Sequence, residues 1–168
     1  TLFRSNFNCG DNKLTSLEGA PTSVHRGFSC SDNELISLEG APTTVGRSFH
    51  CSNNKLKFLT NAPTSVKTDF NCTYNLLNTL AGLTGAPSSV GGTFFCMRTN
   101  LKSLVGAPTS VKNFYCCYNK LESLDGLIRD DGVRLSVVGN FHCYDNSVKF
   151  TEKQVRAVCD VKGDIYTY

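Results

Sequence analysis

The feature that most constrains this chain is the string Phe28-Ser29-Cys30-Ser31-Asp32-Asn33-Glu34-Leu35, which returns along it almost unchanged. Its copies begin at Phe7, Phe28, Phe49, Phe70, Phe94, Phe114 and Phe141, in steps of 21, 21, 21, 24, 20 and 27 residues. Repetition at a period of this size predicts a solenoid, in which each unit buries its apolar edge only against its neighbours.

The unit has a physical reading. Phe28 and Cys30 are two residues apart, so an extended segment points both to one face, the interior. One short strand per repeat, returned by a loop, stacks into a parallel sheet with rungs roughly 4.8 Å apart. Asn33 falls where the strand must end. There its side chain can bond the backbone groups freed by the bend, and stacked copies can form a ladder. Leu35 and Leu38 then return to the core. The second half of the repeat, Ser-Leu-x-Gly-Ala-Pro-Thr-Ser-Val with small substitutions, surrounds Pro21, Pro42, Pro63, Pro87 and Pro108, which are all five prolines of the chain. Glycine and proline at fixed phase mark a tight outer return. Val24, Val45, Val66 and Val90 stand four residues before the next phenylalanine, as apolar pins leading back into the strand.

The string Phe-x-Cys-x-x-Asn-x-Leu-x-x-Leu resembles the Leu-x-Leu-x-x-Asn-x-Leu signature of leucine-rich repeats, with Phe28 and Cys30 in the two inward leucine positions. The Leu-x-Gly-Ala-Pro-x-Ser-Val return is similar to the short bacterial subtype. The wording Ser-Leu-Glu-Gly-Ala-Pro-Thr-Ser-Val resembles repeat proteins encoded by bacteriophages and some large viruses. The resemblance implies a leucine-rich-repeat-like solenoid with about eight short parallel strands on its concave face. It implies little about function, because such scaffolds serve many unrelated partners.

The 168 residues suffice for one cooperative domain spanning 1–168. No run of about 18 apolar residues exists, so no transmembrane helix and no membrane partner are expected. No signal peptide is visible, although the chain starts at Thr1; the expected location is the host-cell cytoplasm or a virion. Residues 1–6 show no N-terminal cap. A net charge of +3 with scattered Lys and Arg argues against nucleic acid. Seven of the nine cysteines (Cys9, Cys30, Cys51, Cys72, Cys96, Cys116 and Cys143) share one inward position. A uniform ladder defines no disulfide pairs, so they are read as reduced, buried thiols, and a linear stack suits no tetrahedral metal site.

Departures from the repeat are informative. Three extra residues enter near Thr79 to Gly82, and Thr99 replaces the ladder asparagine. The segment 125–133, which lacks Ala-Pro, predicts a longer loop, read as structural, with contact to a partner as the alternative. Thr151-Glu152-Lys153-Gln154 has the form of a capping box and predicts a short helix from Glu152 to Cys159. Ile165 and Thr167 then take the inward places of an eighth strand, so helix and strand close the stack.

Function is sought in the outward rows. The row between the Phe and Cys positions reads Asn8, Ser29, His50, Asn71, Phe95, Tyr115, His142, Tyr166. The next reads Gly10, Ser31, Ser52, Thr73, Met97, Cys117, Tyr144, Tyr168, and the third Asp11, Asp32, Asn53, Tyr74, Arg98, Tyr118, Asp145. All three begin small and polar and turn aromatic. Aromatics, Met and Arg together are the composition of a protein-binding patch, the other reading being that the rings stack along the sheet only to stabilise it. The expected partner-binding residues are therefore Phe95, Met97, Arg98, Tyr115, Tyr118, His142, Tyr144 and Tyr166. The expectation is a non-enzymatic interaction module without cofactor, as a monomer or docked on a larger assembly. The alternative is a structural or decoration component of a viral particle. Cys117 with His142 is the one Cys/His pair expected to share the open face, but a flat sheet offers neither oxyanion donors nor water exclusion.

Overall fold

Each copy of the motif closes one coil. The computed structural model describes residues 1–78 and 82–168. The chain opens with β1 (Leu2–Phe3) and β2 (Phe7–Asn8), followed by β3 (Ser23–Val24), β4 (Phe28–Ser29), β5 (Thr44–Val45) and β6 (Phe49–His50). It continues with β7 (Ser65–Val66), β8 (Phe70–Asn71), β9 (Ser89–Phe95), β10 (Ser110–Tyr115), β11 (Leu135–Val137) and β12 (Phe141–His142). Helix α1 (Glu152–Val158), β13 (Cys159–Val161) and β14 (Ile165–Tyr166) complete it.

The strands form two parallel ladders. In the first, Phe7, Phe28, Phe49, Phe70, Phe94, Phe114, Phe141 and Ile165 pair in register, as the motif predicts. The second was read only as a set of apolar pins. Phe3, Val24, Val45, Val66, Val90, Val111, Val137 and Val161 form their own parallel ladder, so each coil carries two short strands. Identical sequence at identical phase places each extended Ser-Val pair against its own copy, and the backbone groups pair there as well.

The two ladders fuse in β9 and β10, where the corner between them straightens into one strand. Gly91 lies close to the preceding coil, where a Cβ would run into the Lys67 carbonyl, whereas β10 makes the same passage with Lys112 and Asn113. The register shifts between Val111 and Asn113, where the repeat is one residue short. Thr79, Leu80 and Ala81, the site of the expected insertion, lie outside the described residues. The register across them, Phe70 with Phe94 and Val66 with Val90, is unbroken.

Inside the coils, six Phe–Phe pairs from Phe7 to Phe141 stack with centroids 5.2–5.6 Å apart and near-parallel planes. Each such pair adds about 0.5–1.5 kcal/mol beyond its burial. Together they rival the roughly 5–15 kcal/mol net stability of a domain, so this column is a principal organiser of the stack. The Asn ladder lies beside it. Asn54 Nδ2 donates to the carbonyls of Cys30 and Cys51 at 3.0 and 3.3 Å, and its Oδ1 accepts from Leu35 N at 2.9 Å. Thr99 repeats part of this pattern, its hydroxyl donating to the Cys96 carbonyl and to Asn119 Oδ1. The Gly-Ala-Pro return is a β-turn in which Ala41 N donates to the Leu38 carbonyl. Gly40 sits there at φ +84°, and Asn61 replaces it one coil later at φ 70°.

The C-terminus is closed by a polar coil. Thr151 and Gln154 form the expected capping box. Arg156, paired with Glu152 of the same helix at 2.8 Å, ties that helix to the final coil through the Val161 carbonyl at 2.7 Å. Cys159, expected as the last helical residue, instead opens β13. Its extended backbone pairs with Leu135, whose carbonyl accepts from its thiol at 3.2 Å. Ile165 is half-buried against Phe141. At the opposite end β1 and β2 are ladder edges, with Leu2 and Phe3 exposed.

The 125–133 segment makes an isolated antiparallel bridge between Ile128 and Arg134 and buries Leu127. With the Gly-Ala-Pro turns it borders an open groove of about 840 Å³ that includes Ala86, Ala107, Leu124 and Ile128.

Candidate functional site

The outward rows are positioned by the strand that buries their neighbours: a residue between an inward Phe and an inward Cys must face out. In register, these residues stand one coil apart and touch. Phe95 meets Tyr115 at 5.2 Å, Tyr115 meets His142 at 4.0 Å, and His142 meets Tyr166 at 4.3 Å. In the last two contacts the rings stack nearly parallel, with interplanar angles of 9° and 7°. Phe95, Tyr115 and His142 are half-buried and Tyr166 is exposed. The column therefore shows a row of ring edges to solvent.

His142 is the centre of a ring sandwich. Burial holds its imidazole below the usual histidine range, and its Nε2 has no hydrogen-bond partner. His50, four coils earlier, is also pushed down by burial, with the charge of Asp69 opposing. The carboxylate influence on His50 had no counterpart in sequence spacing.

The second row holds Met97 and Tyr144, both half-buried, with Cys117 between them. Cys117 is a buried thiol and not the surface thiol that its row position suggested. Burial raises its pKa, and a hydrogen-bonding contact from Tyr144 opposes that rise. The Tyr144 hydroxyl is itself pushed up to about 12, first by this contact with Cys117 and then by burial. A thiol so covered is no activated nucleophile.

The third row carries the feature that sequence inspection missed. All seven of its residues adopt left-handed backbone, with φ between 51° and 58°. Asp11, Asp32, Asn53 and Asp145 suit that conformation; Tyr74, Arg98 and Tyr118 do not. These three lie on consecutive coils. Arg98 Cζ lies 5.6 Å from the Tyr74 ring centroid and 4.3 Å from that of Tyr118, and Tyr118 meets Tyr144 edge-on at 5.3 Å. Tyr74 thus joins the predicted set. The available signal was its shared phase with Arg98 and Tyr118.

The N-terminal half of the same face spends its polar groups internally. Ser52 donates to Ser31 at 2.9 Å, Asn53 to Asp32 at 2.5 Å, and the Asn8 side chain accepts from Gly10 N at 2.9 Å. All nine cysteines are free, and among the described residues no group of three or more His, Cys, Asp or Glu converges as metal ligands. No helix among them is long and apolar enough to cross a membrane.

These features define a parallel β-solenoid of about eight coils with a C-terminal helix and strands. No protein family model, curated protein or solved structure matches the chain. The likeness to leucine-rich repeats accordingly rests on its motif, whose inward strand positions hold Phe and Cys.

Proposed function

We propose that the chain is a protein-interaction module that binds its partner through the aromatic end of the open sheet face. The observation that carries this reading is the in-register column Phe95–Tyr115–His142–Tyr166, with ring centroids 4.0–5.2 Å apart. Rings already held by their neighbours lose little conformational freedom on binding and bury large area, the combination that makes interface anchors. Met97, Arg98, Tyr118 and Tyr144 extend the patch sideways. The role is recognition rather than catalysis, since the Cys117 thiol of the neighbouring row is buried and its thiolate disfavoured.

The partner is obtained by affinity capture from the native source, and its affinity is then measured against two sets of variants. Tyr115→Ala, Phe95→Ala and Tyr144→Ala are each expected to weaken binding by more than about 1 kcal/mol. Asn8→Ala, Ser29→Ala and Ser31→Ala are expected to leave it unchanged. Circular dichroism melts separate lost binding from lost folding. Equal losses in both sets overturn the reading. Co-sedimentation with assembled viral particles, indifferent to both sets, favours the particle-component role instead.

A further inference from the structure

Arg98 combines three properties that a surface arginine seldom combines. Its backbone is left-handed at φ 53°, a conformation unfavourable for a non-glycine residue. Its guanidinium lies between the rings of Tyr74 and Tyr118, which are themselves held in the same backbone conformation on the adjoining coils. Finally, its side chain makes no hydrogen bond or ion pair with any described residue. The five ion pairs of the described chain engage Lys55, Lys102, Arg129, Arg134 and Arg156. The turn imposes this conformation on every coil, but on three consecutive coils it is filled by bulky side chains that do not suit it and that together hold one cation in place, which points to a function for that cation.

Resting on the recognition face proposed above, we infer that Arg98 is its specificity anchor and takes an Asp or Glu side chain of a protein partner. The rings fix the guanidinium plane and leave its N–H edges unspent, and that planar fork matches a carboxylate through two parallel hydrogen bonds. Ordering entropy is largely lost before the partner arrives, while Arg98 itself stays exposed to it. Apolar residues beside the partner's acid would meet Phe95, Met97 and Tyr115. The charge pattern favours a single carboxylate over a polyanion: Asp11, Asp32 and Asp145 occupy the same row as Arg98, and the whole chain carries only +3. A nucleic-acid backbone laid along the row would be repelled at both ends.

The test uses the full chain and a phage-displayed random-peptide library as the probe. Synthetic versions of the selected peptides are then titrated against wild type, Arg98→Gln, Arg98→Lys and Tyr115→Ala, each verified by its circular dichroism melt. The expected peptides share an Asp or Glu at one position and lose at least about tenfold in affinity on Arg98→Gln and on Arg98→Lys, since lysine lacks the fork. Replacing that acid by its amide should weaken binding to wild type but not to Arg98→Gln. Peptides that need Tyr115 but share no acid, or bind Arg98→Gln as well as wild type, overturn the carboxylate anchor and leave the recognition face standing. Peptides indifferent to both positions, or a library that yields no binder, overturn both. A fluorescein-labelled oligothymidylate that binds wild type but not Arg98→Gln, with no acidic peptide selected, overturns the carboxylate in favour of a phosphate backbone.

Discussion

Asn54 Nδ2 donates to the Cys30 carbonyl one coil away at 3.0 Å while its Oδ1 accepts from Leu35 N, so one buried amide joins two coils at three points with the Cys51 carbonyl. Its removal leaves the buried Leu35 N–H without a partner, at about 1–3 kcal/mol, and takes one of two amide donors from the Cys30 and Cys51 carbonyls, which Asn33 and Asn75 still serve. Asn54→Ala is therefore expected to destabilise the protein by about 2 kcal/mol or more in urea unfolding. Asn12→Ala, at the exposed end of the same ladder, should cost less than about 1 kcal/mol, because water replaces the lost amide. Similar losses at both positions would show that the ladder does not bind coil to coil.

Relief of the left-handed backbone should raise stability where little contact is lost. Tyr74→Asn removes one ring contact 5.6 Å from Arg98, worth about 0.5–1 kcal/mol at an exposed site, and places a tolerant residue at φ 55°. The expected outcome is an unfolding free energy raised by a few tenths to about 1 kcal/mol. A clear fall would mean that the ring supports the fold by more than its contact with Arg98.

The cysteines should behave as hydrophobes. Burial raises the thiol pKa throughout the ladder, and Cys143 and Cys159 are pushed up to about 12. Thiol titration of the native protein should label Cys9, the one half-buried cysteine, ahead of the rest, whereas the denatured chain should release all nine. Recovery of several disulfides from native protein would contradict this.

Acid should weaken the aromatic end. His142 has a folded pKa below its ordinary value of 6.5, so the unfolded chain takes up its proton first as pH falls. Stability is then complete above about 6.5 and declines as pH drops toward the folded value. His142→Phe, which keeps the ring in the stack, should flatten that decline in melts recorded across the acid range. His50 is depressed in the same sense and should supply part of the remaining slope. An unchanged profile in His142→Phe would mean that the sandwich does not penalise the imidazolium.

Deletion of 151–168 should uncover the outer side of Phe141 and Cys143 and remove the buried Val155, Cys159 and Val161. Terminal coils without a polar cap aggregate, so solubility and melting temperature should both fall. A truncated chain that stays monomeric with an unchanged melt would make the helix and its strands an appendage.

The sequence alone determined the coil count, the inward Phe and Cys columns, the Asn ladder and the capping box at Thr151. In a solenoid, residues of equal phase meet their own copies, so periodicity in the chain is contact in space. The same logic places Phe95, Tyr115, His142 and Tyr166 in one column. Tertiary structure decided what depends on the path of the backbone between those columns. It made Val24 and its copies a second ladder, because a two-residue strand has no alternation to read. It covered Cys117 with the neighbouring Tyr144, and it turned Cys159 from helix to strand by offering the Leu135 edge. Above all it set Tyr74, Arg98 and Tyr118 in left-handed backbone, face to face. The turn after each strand imposes that conformation whichever residue occupies it, and only the distance between coils brings the three side chains into contact.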